Sequence, residues 1–293
     1  MSDNVIEVRD LSRCFGSKSA LDGASLQVPR GVVCGLVGEN GAGKTTLIKH
    51  LTGQLRAQQG SVRVFGLDPV QTPVEVLGRI GYLSEDRDLP EWMTLPQLRR
   101  YYAAFFPRWD DAFASELQTQ FALDDVTAVK KMSRGQRARA GLLVALAHRP
   151  ELLVLDEPSS GLDPLVRRDI LTAVIRTVAD DGRTVLFSSH LLDEVERVAD
   201  VVAIVQQGRV EVAGPLGDVL AAHRRLAVRF AVPRTDAPEL PGALMWEGGG
   251  HEWSALCRGQ LDALSAAISA LGGEIVEEAS PNLNEIFLAG SHR

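Results

Sequence analysis

Cysteine, long apolar runs and excess positive charge are all scarce in this sequence of 293 residues. Its three cysteines, Cys14, Cys34 and Cys257, are isolated and form no C-x-x-C pair. They therefore predict reduced thiols and argue against a disulfide framework or a zinc site. No stretch approaches the roughly 18 uninterrupted apolar residues that a membrane span needs, and the first residues lack the segments of a signal peptide. We expect a chain that does not itself cross a membrane.

The charge balance limits the classes of partner. The formal net charge is −7 at pH 7, which gives no global support for nucleic-acid binding. Hydrophobic residues make up 45% of the chain and charged residues 24%, as in ordinary globular proteins. The length allows one large domain, or one large domain and one small one.

The order of apolar patterns predicts an α/β fold. Residues 4–37 and 61–65 carry strand patterns, and residues 86–148 are mainly helical. From residue 152 to 205, strands and helices alternate, which predicts a mostly parallel sheet covered by helices. We expect a P-loop core with an antiparallel β subdomain and a helical subdomain.

A different pattern begins near Gly214-Pro215. It predicts a strand at 227–232, a helix at 261–271 and a hairpin within 243–257 that turns through Gly248-Gly249-Gly250. We therefore expect two domains: a core domain at 1–214 and a small α+β accessory domain at 215–293. The role of the second domain stays open among dimerisation, regulation and bracing of the core.

A glycine-rich stretch between an apolar strand and a helical pattern is the main functional signal. It reads G-x-x-x-x-G-K-[ST], in the strand–loop–helix context that phosphate binding requires. Its residues are Gly38, Glu39, Asn40, Gly41, Ala42, Gly43, Lys44, Thr45 and Thr46. The glycines allow backbone N–H groups to surround phosphate oxygens, and the helix N-terminus adds positive charge. Lys44 suits the β- and γ-phosphates, and the Thr45 hydroxyl suits Mg²⁺.

An acidic pair follows a second buried strand. Asp156 and Glu157 come directly after Leu152–Leu155, so they lie at the carboxyl edge of the parallel sheet, where ligands bind. Asp156 is suited to hold Mg²⁺ through water, and Glu157 to polarise an attacking water as general base. The alternative is that the acidic pair only caps a helix. The presence of the phosphate loop favours the catalytic role.

Two further stretches contain candidate residues for nucleotide binding. Ser133, directly before a helical pattern, suits an N-cap. Alternatively, Ser133 and the Gly135 N–H form a second anion site that completes a nucleotide bound elsewhere. His190 follows a core strand beside the predicted nucleotide edge, which favours a contact with the γ-phosphate.

In this order, these stretches resemble the ATP-binding subunit of an ABC transporter over about residues 4–213. The resemblance identifies Met132–Gln136 with the LSGGQ signature, Ser160–Asp163 with the D-loop and His190 with the switch histidine. It implies ATP contacts from Ser133, Gly135 and Gln136, stacking of Phe15 on adenine, and a metal contact from Glu85 in the Q-loop. A core role at a strand end is the alternative for Phe15.

The sequence departs from the family pattern at two positions. Glu85 replaces the usual glutamine, and Arg134 replaces a signature glycine. Both changes, and the tail Ser280–Leu288, resemble the subgroup that serves drug or polysaccharide export permeases. A carboxylate at Glu85 can still reach Mg²⁺, and its extra charge should alter ion affinity.

The resemblance implies a Mg²⁺-dependent ATPase with Lys44, Glu157 and His190 as catalytic residues. It implies a head-to-tail pair of chains, expected as a homodimer. The pair is expected on the cytoplasmic face of the cell membrane, beside a separate permease. Aromatic residues at 101–106 either contact that permease or belong to the core.

The alternative function is that of a soluble ABC-type ATPase acting on nucleic acid or ribosomes. One phosphate loop, no long heptad insertion and no zinc cysteines argue against it, and the signature argues against a small-molecule kinase.

Overall fold

The computed structural model describes residues 3–86 and 88–291, apart from the side chains of residues 174, 176–181 and 291. Contacts divide the chain into two compact units, Met1–Ala213 and Gly214–Arg293. None of the described helices has the length and apolar character that crossing a bilayer requires.

The first unit contains two sheets and seven α-helices among its described residues. Its strands are β1 (Asn4–Phe15), β2 (Lys18–Pro29), β3 (Val33–Val37), β4 (Gln59–Val64), β5 (Ile80–Leu83), β6 (Leu152–Leu155), β7 (Thr184–Ser189), β8 (Val201–Gln206) and β9 (Arg209–Pro215), the last of which runs across the unit boundary. Its helices are α1 (Lys44–Leu51), α2 (Pro73–Leu77), α3 (Leu95–Ala103), α4 (Asp111–Gln120), α5 (Arg134–Leu146), α6 (Pro164–Asp181) and α7 (Leu192–Val198).

The larger sheet has the strand order β5-β6-β7-β3-β8-β9, and its first five strands pair in parallel. Every residue of β3, β6 and β7 is buried. Strands that are covered on both faces read as unbroken apolar runs, which explains why the sequence identifies them well. The smaller sheet is antiparallel, in the order β2-β1-β4. The α/β class and the mostly parallel sheet are confirmed.

The helical segment begins with two well-defined caps. Thr94 and Gln97 form a capping box at the start of α3. The Asp110 carboxylate accepts a hydrogen bond from the Phe113 N–H at 2.9 Å and starts α4. Leu98 of α3 and Leu117 of α4 are buried, and both helices contact α5.

The second unit is an antiparallel sheet with helices. Its strands are β10 (His223–Arg234), β11 (Ala243–Arg258) and β12 (Gly273–Ala279), in the order β11-β10-β12. Its helices are α8 (Leu216–Ala221), α9 (Leu261–Ala270) and α10 (Leu283–Ser291). Phe230 and Trp253 belong to a core cluster that also includes Leu264 and Ile268 of α9.

The predicted hairpin within 243–257 is confirmed, because β11 doubles back on itself: the Arg258 N–H donates to the Gly242 carbonyl oxygen at 2.7 Å, and a Cβ on Gly248 would lie 2.5 Å from the Glu252 carbonyl oxygen. It pairs with β10, where Val228 lies opposite Trp253 and Arg234 opposite Gly250. Gly248 and Gly250 have positive φ angles of 124° and 62°, at an irregular part of the pairing. These glycines therefore lie where the chain reverses between the two arms of the hairpin.

Candidate functional site

Three neighbouring parallel strands bring the main candidate residues to one edge of the large sheet. The phosphate loop follows β3, the acidic pair Asp156-Glu157 follows β6, and His190 follows β7. Strand β7 lies between the other two, with Val37 opposite Ser189 and Leu155 opposite Phe187. Because parallel strands end at the same edge, residues more than 100 positions apart meet there.

The phosphate loop makes a tight entry into α1. Gly43 has φ 114° at the helix N-cap, and a Cβ there would lie 2.5 Å from the Ala20 carbonyl oxygen. Any side chain at this position would therefore collide with backbone as well as strain the loop. Leu47, Ile48 and Leu51 are buried on the other side of α1 and fix the helix against the core.

The Lys44 ammonium group is buried and held on three sides. Its Nζ donates to the carbonyl oxygens of Gly38 at 2.6 Å and Glu39 at 3.2 Å. It also forms an ion pair with Glu157 Oε1 at 3.0 Å, and both side chains are only 5% exposed. The carboxylate and the carbonyl oxygens offset the loss of hydration that burial of the ammonium group costs.

Glu157 contacts both Lys44 and His190. Its backbone has φ 46°, an unusual value for a residue with a side chain. Its N–H donates to Ser188 Oγ at 2.8 Å, and its Oε2 accepts a hydrogen bond from His190 Nδ1 at 2.7 Å. Strained backbone of this kind persists where the surroundings hold it, and it concentrates at functional sites. The structure thus joins Lys44, Glu157 and His190 directly.

Asp156 fits the role of a metal ligand. It is 1% exposed, and its Oδ1 accepts a hydrogen bond from Ser188 Oγ at 2.7 Å. Its Oδ2 is buried and makes no hydrogen bond to any described residue. Within the described part of the chain, no group of three or more His, Cys, Asp or Glu side chains could hold a metal by itself. This arrangement suits Mg²⁺, which keeps several waters and takes phosphate oxygens as further ligands.

A cavity of about 340 Å³ opens beside the phosphate loop. It is lined by Phe15, Lys18, Ala20, Glu39, Asn40, Gly41, Gly43, Lys44, Thr45, Thr46, Glu85 and Glu157. Gly38 and Ala42 support the loop from behind, since Gly38 holds Lys44 through its carbonyl and Ala42 is buried.

Phe15 lies at the mouth of this cavity and not in the core. Its side chain is 47% exposed at the end of β1, with the Arg13 guanidinium 4.9 Å from the ring centroid. The alternative of a core phenylalanine is therefore wrong. An exposed ring at the rim of a phosphate-binding cavity is suited to stack on a base.

Lys18 is a cavity residue that sequence reasoning missed. It lies at the start of β2, and its Nζ is 4.0 Å from the place where a Cβ on Gly41 would be. The exposed ammonium therefore stands next to the phosphate loop. Its position shortly after Phe15 was the available signal in the sequence, but a single lysine at the start of a strand belongs to no recognisable motif.

Ser133 and Gln136 form a capping box at the start of α5. Ser133 Oγ accepts from the Gln136 N–H at 3.2 Å, and Gln136 Oε1 accepts from the Ser133 N–H at 2.8 Å. Gly135 is buried, and a Cβ there would lie 2.8 Å from Val166 Cγ2 of α6. None of these three signature residues lines the cavity of its own chain.

A phosphate loop, an acidic strand end and a histidine at adjacent parallel strands define a P-loop ATPase core. The family model described as ABC transporter matches residues 21–160. The daunorubicin resistance ATP-binding protein DrrA3 of Streptomyces coeruleorubidus is 34% identical over 306 residues, 98% of this chain and 96% of its own length. The daunorubicin/doxorubicin resistance ATP-binding protein DrrA of Streptomyces peucetius is 35% identical over 81% of this chain and 74% of its own.

A solved structure of the ATP binding subunit of an ABC transporter is similar as well. It has a TM-score of 0.69 and 29% identity, and the match covers 74% of this chain and 92% of that chain. The chain belongs to the ABC transporter family, as an ATP-binding and ATP-hydrolysing subunit. The predicted family is confirmed, and the alternative of an ATPase acting on nucleic acid or ribosomes is not favoured.

Proposed function

We propose that two copies of this chain pair head to tail and hydrolyse ATP at composite sites. In each site, the phosphate loop of one copy would be closed by Ser133, Gly135 and Gln136 of the other. The observation that carries this proposal is that these residues lie outside the cavity that contains Lys44 and Glu157. The start of α5 offers the backbone N–H groups and the positive helix end that an anion favours.

The groups in and beside the cavity support the following proposed roles. Phe15 stacks on the adenine, and the loop from Gly38 to Thr46 holds the phosphates together with Lys44. Thr45, Asp156 and Glu85 would hold Mg²⁺, directly or through water, and the ion would supply positive charge to neutralise the phosphates. Glu85 is exposed at the cavity, so its carboxylate can approach without loss of an existing buried contact.

Glu157 acts as the general base. Its Oε1 is held by Lys44 at 3.0 Å and its Oε2 by His190 at 2.7 Å. Phosphate oxygens would compete with Glu157 for Lys44, which would leave Oε1 to accept a proton from the attacking water. His190 then fixes the other carboxylate oxygen and lies close enough to contact the γ-phosphate.

The pair would drive a separate membrane permease from the cytoplasmic face. Residues 1–214 form the ATP-binding domain, whose helical part at 86–148 would transmit closure, and residues 215–293 form an accessory domain. Tyr101 and Phe105 are exposed on the helical part, 42% and 62%, and suit contact with such a permease. Export of drug-like molecules is supported by the similarity to DrrA and DrrA3, which are named as drug resistance proteins.

Glu157→Gln tests the proposal. The amide keeps the size of the side chain and cannot take a proton, so turnover should fall by about 10²- to 10⁴-fold. ATP should still bind, and sedimentation should show an ATP-dependent dimer that does not come apart. Glu75→Gln, an exposed change on α2, is the control and should leave turnover and dimerisation unchanged. Turnover of Glu157→Gln near the wild-type rate would contradict the assignment.

A further inference from the structure

A cluster around a buried carboxylate is formed by Ser159, Arg167 and Glu194, which lie outside the cavity lining. Glu194 of α7 is 7% exposed. Ser159 Oγ donates to Glu194 Oε2 at 2.6 Å, and Arg167 Nε of α6 lies 3.0 Å from Glu194 Oε1. A buried carboxylate is costly unless it is paired, so these two partners hold Glu194 in one place.

The cluster joins the segments that carry Glu157 and His190. Ser159 is two residues after Glu157, and Glu194 is four residues after His190. The cluster therefore ties the chain just beyond one partner of the 2.7 Å His190–Glu157 hydrogen bond to the helix just beyond the other. Arg167 adds a third point, because its Nη2 donates to the Leu162 carbonyl oxygen at 3.4 Å.

Helix α7 has little freedom to adjust on its own. A Cβ on Gly35 of β3 would lie 2.3 Å from Val195 Cγ1, so the helix packs directly on the strand that leads to the phosphate loop. Packing fixes the distance of α7 from the sheet, and the Glu194 cluster fixes its position along the 159–163 segment. A shift of either part would change how His190 meets Glu157.

We propose that Glu194 is a positioning residue for hydrolysis, which holds His190 against Glu157 by tying α7 to the 159–163 segment. It touches neither the cavity nor the phosphates and acts through His190. The same tie links the predicted D-loop, Ser160–Asp163, to the histidine of the same chain through Ser159 and Arg167. The inference rests on the roles proposed above for Glu157 and His190.

The test uses Glu194→Gln and Glu194→Ala in the full chain. Glutamine can keep the bond from Ser159 but loses the charge that faces Arg167, whereas alanine loses both. Because misplacement of a reacting group by about 1 Å can cost roughly 10²-fold, we expect kcat to fall by about 10- to 100-fold for alanine and less for glutamine. KM for ATP should stay within about twofold, since the cavity lining is untouched. Asp193→Asn, an exposed change on the same helix, should alter neither.

A double-mutant cycle with His190→Ala separates positioning from general stability. If Glu194 acts through His190, Glu194→Ala should cost little further kcat once His190 is alanine. Independent, multiplied losses of kcat would overturn the inference and leave the proposed function standing. If His190→Ala by itself left kcat unchanged, the proposed role of His190 would fail instead. Should Glu194→Ala fail to fold, the same cycle is run with Glu194→Gln.

Discussion

Gly135 of the signature should be required for packing as well as for the nucleotide. In Gly135→Ala, the new Cβ would lie 2.8 Å from Val166 Cγ2, closer than carbon atoms normally approach. Val166 is 5% exposed on α6, so its side chain cannot turn into solvent. Overpacking of this kind costs about 1–3 kcal/mol of unfolding free energy.

An opposing effect reduces the net cost. Alanine is better than glycine inside a helix by about 0.5–1 kcal/mol. The difference leaves a destabilisation of about 0–2.5 kcal/mol, with a mid-range value of about 1 kcal/mol. For a domain of this size, each kcal/mol corresponds to roughly 2–4 °C in Tm. We therefore expect Gly135→Ala to lower Tm by a few degrees.

Thermal unfolding followed by circular dichroism, in two backgrounds, measures this clash. In Val166→Ala the colliding methyl groups are absent, so Gly135→Ala should there be neutral or slightly stabilising. Gly217→Ala is the matched control: this glycine is also the second residue of a helix, α8, and a Cβ there would meet nothing within 4 Å. An equal loss from Gly135→Ala in both backgrounds would refute the packing argument.

Three further predictions concern the cavity and the core. Lys44→Ala should weaken ATP binding by about 10- to 100-fold, because it removes the buried charged donor; a fluorescent ATP analogue reports the Kd. Lys18→Ala should weaken the same Kd by only a few fold, with a larger effect at low salt, whereas Lys49→Ala on the exposed side of α1 should not change it. Burial lowers the pKa of His148 to about 4. On acidification the unfolded chain therefore takes up a proton that the folded chain does not. The free energy of unfolding should fall by up to about 3 kcal/mol between pH 6.5 and 4 in wild type but not in His148→Gln. Urea unfolding across this pH range measures the difference.

The parallel core could be predicted from sequence because its signals are local. Strand β6 was expected over Leu152–Leu155 and has those bounds, since a short apolar run that ends in two acids has few other solutions. The phosphate loop carries its spacing within nine residues. Once β3, β6 and β7 are neighbours, the meeting of Lys44 with Glu157 follows from the parallel order of the strands.

Other features could not be predicted because they depend on distant partners. Glu194 looks like an ordinary acidic residue of a short helix, and its burial depends on Ser159 and Arg167, which come from elsewhere in the chain. The close approach of Gly135 to Val166 has no local signal either. The turn at Gly248–Gly250 could be predicted, by contrast, because three consecutive glycines between strand patterns are a local signal.

The signature residues were predicted only in part from the sequence. Sequence reasoning left Ser133 between a simple helix cap and an anion site. The structure shows the cap, with Gln136 closing the capping box. The cap and the anion site are compatible, because a capped helix start still presents N–H groups at its positive end. Which chain's nucleotide these groups meet is the central question.

Mixing two inactive variants answers that question most directly. Lys44→Ala removes the phosphate charge but keeps the signature, whereas Ser133→Arg blocks the signature but keeps the phosphate loop. If each site combines the loop of one copy with the signature of the other, a mixed pair contains one intact site. The ATPase rate of the mixture should then exceed the average of the two separate rates. A mixture that only matches that average would contradict the composite site.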